Sequence, residues 1–284
     1  MRYCFLRFPE GKPKALTLSY DDGVVADKRF SDIITSKGIK CTFNINSSLI
    51  GRPGRIDENE IKEYILDRGH EVAVHGSNHI APGISAPSLT MIDVLDCRRD
   101  LEKRFGMIIR GMAYPDSGIT SMHNSNTYEN IRSILTNAGI VYSRTLAGDN
   151  PGFALPTDFH TWMPTAHHNN PSLFEWADKF LALDPSKGFS AALSPKLFYL
   201  WGHSYEFDNH SNWNRIEEFC DKMSGKDDIW YATNIEIYEY IEAYNSLVFS
   251  ADCERIYNPT LKEIFLYIDY KNYSIKPGET LVIG

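Results

Sequence analysis

Apolar and polar positions follow two alternating rhythms along this chain. Short apolar runs of strand length recur, each followed by a stretch in which apolar residues return every three or four positions. The first run covers residues 15–20; Phe30, Ile33 and Ile34 follow at helical spacing, and Gly38 is placed to stop that helix. The same reading predicts strands over 41–45, 71–74, 108–114, 141–143, 197–201 and 229–232. Helices are expected over 59–66, 89–105, 128–138 and 173–183. Another carries Trp213, Ile216, Phe219, Cys220 and Met223 on one face, and a last one runs through Tyr244. Seven strand–helix units in such alternation imply a parallel sheet with helices outside, able to close or nearly close into an α/β barrel.

Two stretches break the rhythm. Residues 148–171 are rich in Pro, Asn and His and too long for a simple connection, which marks them as a functional loop. From residue 248 the pattern becomes short strands (264–268 and 280–283) around a Lys276-Pro277-Gly278 turn. The expected organisation is a barrel over 1–247 with a small β extension over 248–284.

Composition narrows the class. The 284 residues are 43% hydrophobic and 23% charged, as in a packed globular enzyme. A net charge of −8 argues against nucleic acid or an anionic membrane as partner. No apolar run approaches the ~18 residues of a membrane span, and Arg7 and Glu10 interrupt any secretory core, so a cytoplasmic location is expected. The five cysteines are scattered and suit reduced, buried thiols.

The candidate chemistry falls at strand ends, where barrels of this kind place their reactive groups. Asp21-Asp22-Gly23 follows the first strand, His75 the third, Tyr114 the fourth and His203 the sixth. His75 and His79, four residues apart, can meet one metal, and the aspartate pair supplies the carboxylate that two imidazoles lack. Two histidines and one carboxylate suit Zn2+ best and also accept Co2+, Ni2+ or Fe2+.

In order and spacing these residues resemble the polysaccharide deacetylase family (carbohydrate esterase family 4), whose motifs read here as Ser19-Tyr20-Asp21-Asp22-Gly23, His75…His79, Arg110…Tyr114-Pro115 and Trp201-Gly202-His203. The resemblance covers about residues 14–245 and implies a distorted seven-unit barrel. It implies Asp21 as general base and Asp22, His75 and His79 as metal ligands. It makes Arg110 the partner that holds Asp21, the Tyr114 backbone N–H an oxyanion donor, and His203 the general acid. The substrate implied is an acetylated carbohydrate, losing N- or O-linked acetyl groups. Hydrolysis of a non-sugar C–N bond and a non-catalytic carbohydrate-binding role are the alternatives.

Three departures from the family pattern stand out. Gly76 follows the first histidine where the family has Ser or Thr. Pro115 comes five residues after Arg110 rather than two. A fourth motif, an Asp beside a Trp, fits only loosely on Asp158 and Trp162. His160, His167 and His168 in the irregular stretch compete with His203 for the acid role, and Glu206 is placed to orient His203. Trp162 and Trp201 are the candidate sugar-stacking rings.

Overall fold

A computed structural model describes residues 3–146 and 149–283, so residues 1, 2, 147, 148 and 284 of the expected barrel, irregular stretch and extension lie outside the described residues. The strands are β1 Cys4–Arg7, β2 Lys14–Asp21, β3 Cys41–Ile45, β4 Glu71–Val74, β5 Gly111–Ala113, β6 Tyr142–Arg144, β7 Ala166–His167, β8 Lys196–Gly202 and β9 Ile229–Tyr231. The C-terminal part adds β10 Val248–Phe249, β11 Arg255–Tyr257, β12 Ile264–Ile268, β13 Lys271–Ile275 and β14 Thr280–Val282. The helices are α1 Asp27–Ser36, α2 Glu58–Ile61, α3 Pro87–Phe105, α4 Tyr128–Asn137, α5 Leu173–Ala182, α6 Tyr205–Asn209, α7 Trp213–Met223 and α8 Asn234–Asn245. The expected helix over 59–66 is α2 continued by a wider π turn over Lys62–Leu66.

All seven expected strands form, and with β7 they make an eight-stranded parallel sheet in the order β6-β5-β4-β3-β2-β8-β7, with β9 paired to β2 off that path. It curls into the distorted (β/α) barrel. Every residue of β2 is buried, as a central parallel strand covered on both faces requires. Its side chains alternate. Leu16, Leu18 and Tyr20 pack outward with Phe30 and Ile34 of α1, while Ala15 belongs to the second cluster with Tyr199, Tyr142 and Trp162. Asp21 shares the parity of Ala15, so it points into the barrel.

β9 pairs Lys14–Leu16 of β2, and β3 pairs Leu18–Asp21, so these two strands flank different halves of β2. The irregular stretch supplies part of the barrel wall. Trp162 N donates to Ser143 O at 3.2 Å, and its carbonyl accepts from Thr145 N at 3.0 Å. Thr165 N and His168 N then donate to Tyr199 O and Trp201 O at 2.7 and 2.9 Å. Residues 162–168 therefore bridge β6 and β8. This part of the expected functional loop is a stave.

The C-terminal extension forms two three-stranded sheets, β1-β12-β13 and β10-β11-β14. The N-terminal strand β1 thus pairs antiparallel with β12, Cys4 opposite Ile268, tying the start of the chain to its extension. The cysteines are free, with Cys41, Cys97 and Cys220 buried. No helix among the described residues is long and apolar enough to cross a membrane.

Candidate active site

The C-terminal rim gathers Asp21 and Asp22 after β2, His75 and His79 after β4, and His203 after β8. Asp22 turns sharply out of β2 (φ 86°), and its N–H still donates to Asn44 O at 2.9 Å, which anchors the turn to β3. Its Oδ1 lies 3.9 Å from His75 Nε2 and 3.7 Å from His79 Nε2. Ligand atoms of the three residues all fall within 4.8 Å of one another.

His75 carries the clearest sign of what this cluster is built for. Its Nδ1 lies 3.0 Å from Ala113 O, and a carbonyl can only accept, so the ring proton sits on Nδ1. Nε2 is left as a bare lone pair, buried and without a partner among the described residues. Burial also pushes the pKa of His75 down, keeping that lone pair unprotonated. A buried acceptor facing a carboxylate and a second imidazole fits a divalent metal.

The loop between the two histidines explains Gly76. A Cβ there would sit 2.2 Å from Asp93 Oδ2, and its φ of +72° is the left-handed region that favours glycine. Asp93, buried on α3, takes Asn78 N at 2.6 Å and Ile80 N at 3.3 Å and so shapes the turn that delivers His79. Sequence reading missed Asp93. Its signal was an aspartate in the apolar stripe Thr90, Val94, Cys97 and Leu101, where an acid has no packing reason to be.

Asp21 is only 1% exposed and stands between the two histidine turns. Its Oδ2 is 3.9 Å from His75 Nε2 and 3.8 Å from His203 Nε2. Asn44 Nδ2 donates to Oδ1 at 2.8 Å, and Arg144 Nη2 makes a very short ion pair with Oδ2. Burial alone would raise the pKa of this carboxyl. The Arg144 charge, first among the opposing causes, with the His203 imidazole and the Asn44 bond, holds it below the usual carboxylate value. Asp21 is therefore ionised at neutral pH with its proton-accepting oxygens facing the cluster.

The expected partner of Asp21, Arg110, lies elsewhere. It precedes β5 and pairs with Glu239 of α8 at 2.6 Å on a partly exposed surface. Arg144 at the end of β6 takes its place. It is fully buried, its guanidinium lies 4.3 Å over the Trp201 ring, and its Nε and Nη1 have no partner among the described residues. The signal was its parity with Tyr142, which sends both side chains into the barrel.

Tyr114 is also displaced from its expected role. Its backbone N–H donates to Arg144 O at 3.1 Å as a continuation of the β5–β6 ladder, so it is not free to meet an oxyanion. Its hydroxyl donates to His160 O at 2.9 Å. The competing histidines separate as well. His160 is buried below the rim against Ser143 Oγ (3.2 Å), with Asp158 capping its N–H. His168 is 1% exposed, beside Tyr20 Oη at 3.2 Å, and burial lowers its pKa to about 4. Gly202 makes room for that ring and not for a substrate, since a Cβ there would lie 1.9 Å from His168 Nδ1. Trp162 is likewise core at 1% exposure.

His203 keeps the expected position. Its Nδ1 donates to Glu206 Oε1 at 2.8 Å, which leaves Nε2 toward Asp21 and the rim. Burial would lower its pKa, but the Glu206 bond and the charges of Asp21 and Asp22 outweigh that and raise it. The rim thus offers a carboxylate held anionic and, 3.8 Å away, an imidazole whose pKa is raised, beside a set of metal-type ligand atoms. Such a set can take a proton from water on one side and return one to a leaving atom on the other.

The sequence profile of the polysaccharide deacetylase family matches residues 9–140, just under half of the chain. No curated protein sequence matches. Among solved structures, the fold is similar to a protein from Mycobacterium smegmatis described as a polysaccharide deacetylase (17% identity, TM-score 0.59, covering 84% of this chain and 94% of that one). One from Pseudomonas aeruginosa PAO1, described likewise, is 14% identical with a TM-score of 0.56 and coverage of 82% and 92%. A mutant of a Bacillus anthracis CE4 family pseudoenzyme with restored enzymatic activity is 14% identical, with a TM-score of 0.51 and coverage of 82% and 70%. These likenesses bear out the fold, and the profile match over residues 9–140 takes in both aspartates and both histidines of the cluster.

Proposed function

We propose that this chain is a metal-dependent hydrolase that removes acetyl groups from an acetylated carbohydrate. The observation that supports it most directly is Asp21, ionised between His75 Nε2 and His203 Nε2 and belonging to neither the ligand cluster nor the acid. A binding protein has no need for a second, separately held aspartate there.

Asp22, His75 and His79 would hold the metal, with Zn2+ the best match to two imidazoles and a carboxylate and Co2+, Ni2+ or Fe2+ as alternatives. A divalent cation held there would supply Lewis-acid polarisation of the acetyl carbonyl. Asp21 accepts the proton of the attacking water. Arg144 and Asn44 keep the carboxylate ionised and aimed while it waits. His203, whose pKa the Glu206 bond raises, gives its Nε2 proton to the leaving nitrogen or oxygen as the carbonyl re-forms. The exposed ring beside the acid is Tyr205, 5.2 Å from His203, which makes it the sugar platform in place of Trp162.

Acetate release from acetylated chitooligosaccharides by the metal-loaded enzyme tests this reading. Asp21→Asn is expected to keep the metal and lose roughly 10²–10⁴ in rate, the worth of a positioned base. Ammonia or ureide release from small cyclic amides without any acetate from sugars would assign the site to another C–N bond.

A further inference from the structure

Behind His203, on the side away from Asp21, lies a second group of ligand-type atoms. Glu206 Oε1 meets His203 Nδ1 at 2.8 Å, and Glu206 Oε2 lies 3.3 Å from His167 Nε2. Ligand atoms of His167, His203 and Glu206 fall within 4.8 Å of one another, and the three side chains are 25%, 20% and 18% exposed, so an ion in solution can reach them. We propose that His167, His203 and Glu206 form a second, weaker site for a divalent transition metal, and that filling it switches the enzyme off. This rests on His203 being the acid of the proposed reaction.

The ring protons set the order of filling. In the first cluster Ala113 O draws the proton of His75 to Nδ1 and leaves Nε2 bare for a metal. In the second, each imidazole nitrogen that faces Glu206 carries a proton, because a carboxylate oxygen only accepts. Asn169 N–H donates to His167 Nδ1 at 3.1 Å, which places the proton of the neutral ring on Nε2. A cation there must displace that proton to Nδ1, where it opposes the Asn169 N–H. It must also compete for Glu206 with Asn169 Nδ2 at 2.8 Å and His168 Nε2 at 3.2 Å. The first cluster needs no proton moved on His75 and meets a looser competitor, Arg55 Nη1 at 3.7 Å from Asp22 Oδ1, so it fills first.

Occupancy of the second site removes the acid. A metal on Nδ1 uses the lone pair that holds the extra proton of the imidazolium. The ring keeps one proton, on Nε2, and surrendering it would leave an imidazolate, so His203 no longer donates near neutral pH.

Titration of the metal-stripped full-length protein with Co2+, followed by its d–d absorption, and with Zn2+, followed by calorimetry, tests the site. Two transitions are expected, the second weaker. Acetate release should rise over the first equivalent and fall at least roughly tenfold in excess Zn2+, in line with the worth of a general acid. In His167→Gln and in Glu206→Gln the first transition should remain. The second transition, and the inhibition measured against each variant's own one-zinc activity, should move to roughly tenfold or higher concentration. A single transition in the wild type overturns the proposal, as does a second transition unmoved in both variants. Absence of acetate release at every metal load, with both transitions present, would overturn the deacetylase reading and leave the second site standing.

Discussion

Two buried carboxylates, Asp21 at the rim and Glu71 deeper among the strands, share the barrel and behave in opposite ways. Both are almost wholly removed from solvent, and burial drives each toward its neutral form. Asp21 is surrounded by Arg144, His75 and His203, and its pKa falls below the usual value. Among the described residues Glu71 accepts from neutral donors alone: Tyr142 Oη at 2.6 Å, Thr42 Oγ1 at 2.7 Å and Ile235 N at 2.9 Å. Its pKa rises to about 7. Hydrogen bonds alone do not keep a buried carboxylate charged at neutral pH here; cationic neighbours do. What separates the proposed base from a structural acid in this barrel is the charge around it.

Taking apart the cationic side of that comparison gives the largest expected effects. His75→Ala removes the buried Nε2 and is expected to abolish tight metal binding and, with it, all measurable acetate release. Metal analysis after chelator-free purification checks this. Stoichiometric zinc retained in a His75→Ala/His79→Ala protein would refute the ligand set.

Arg144→Met turns the surroundings of Asp21 toward those of Glu71. The carboxyl pKa should rise, so the acidic limb of the kcat/KM profile moves to higher pH. At neutral pH the loss should be roughly 10²-fold or more, since the base is both part-protonated and loosely aimed. Arg110→Met, which breaks only the surface pair with Glu239, should leave the rate within about twofold, as surface ion pairs contribute little. Equal losses in the two variants would return Arg110 to the site.

A smaller effect is expected at the acid. Glu206 is the anion bonded to His203, so Glu206→Gln should lower the pKa of His203 and move the basic limb of the profile to lower pH. The rate above that limb should fall about tenfold for each pH unit it moves. Substrates whose leaving group departs without a proton, such as aryl acetates, should show much less of this. An unmoved basic limb would mean that another group sets it.

Sequence and structure agree on the candidate residues that sit in contiguous turns. Asp21 and Asp22, His75 and His79, and His203 each end a strand, and strand ends are legible from local pattern alone. Their neighbours were not legible, because those contacts cross the barrel. Arg144 and Asp21 are 123 positions apart, and only strand parity brings them together. Arg110 had the linear spacing expected of a partner but precedes β5 and meets α8 instead. Tyr114 lost its free N–H because β6 pairs one residue beyond β5. The pairing of β1 with β12 was hidden for the same reason: four residues carry little pattern, and their partner lies near the other end of the chain.

The smallest effect is on stability, and its sign follows from Glu71. Unfolded, the carboxyl titrates near its ordinary value of 4.5; folded, it titrates at about 7. Between these values the folded protein keeps a proton that the unfolded chain has released, so stability falls as pH rises through this window. The full difference is of order 3 kcal/mol. Asp27, raised to about 7 by burial beside Ser204 Oγ and Val24 N, adds a slope of the same sign. The lowered pKa of Asp21 adds the opposite slope at lower pH, because its stabilisation is lost as that carboxylate is protonated. Glu71→Gln should therefore flatten the decline of Tm between about pH 4.5 and 7 without abolishing it, since Asp27 remains. A glutamine can offer its oxygen to Thr42 and Ile235 and an N–H to the Tyr142 oxygen, so the variant should fold. Thermal melts across this range measure the slope directly. A Glu71→Gln curve parallel to the wild type would show that Glu71 stays charged despite its neutral neighbours, and the contrast with Asp21 would fail.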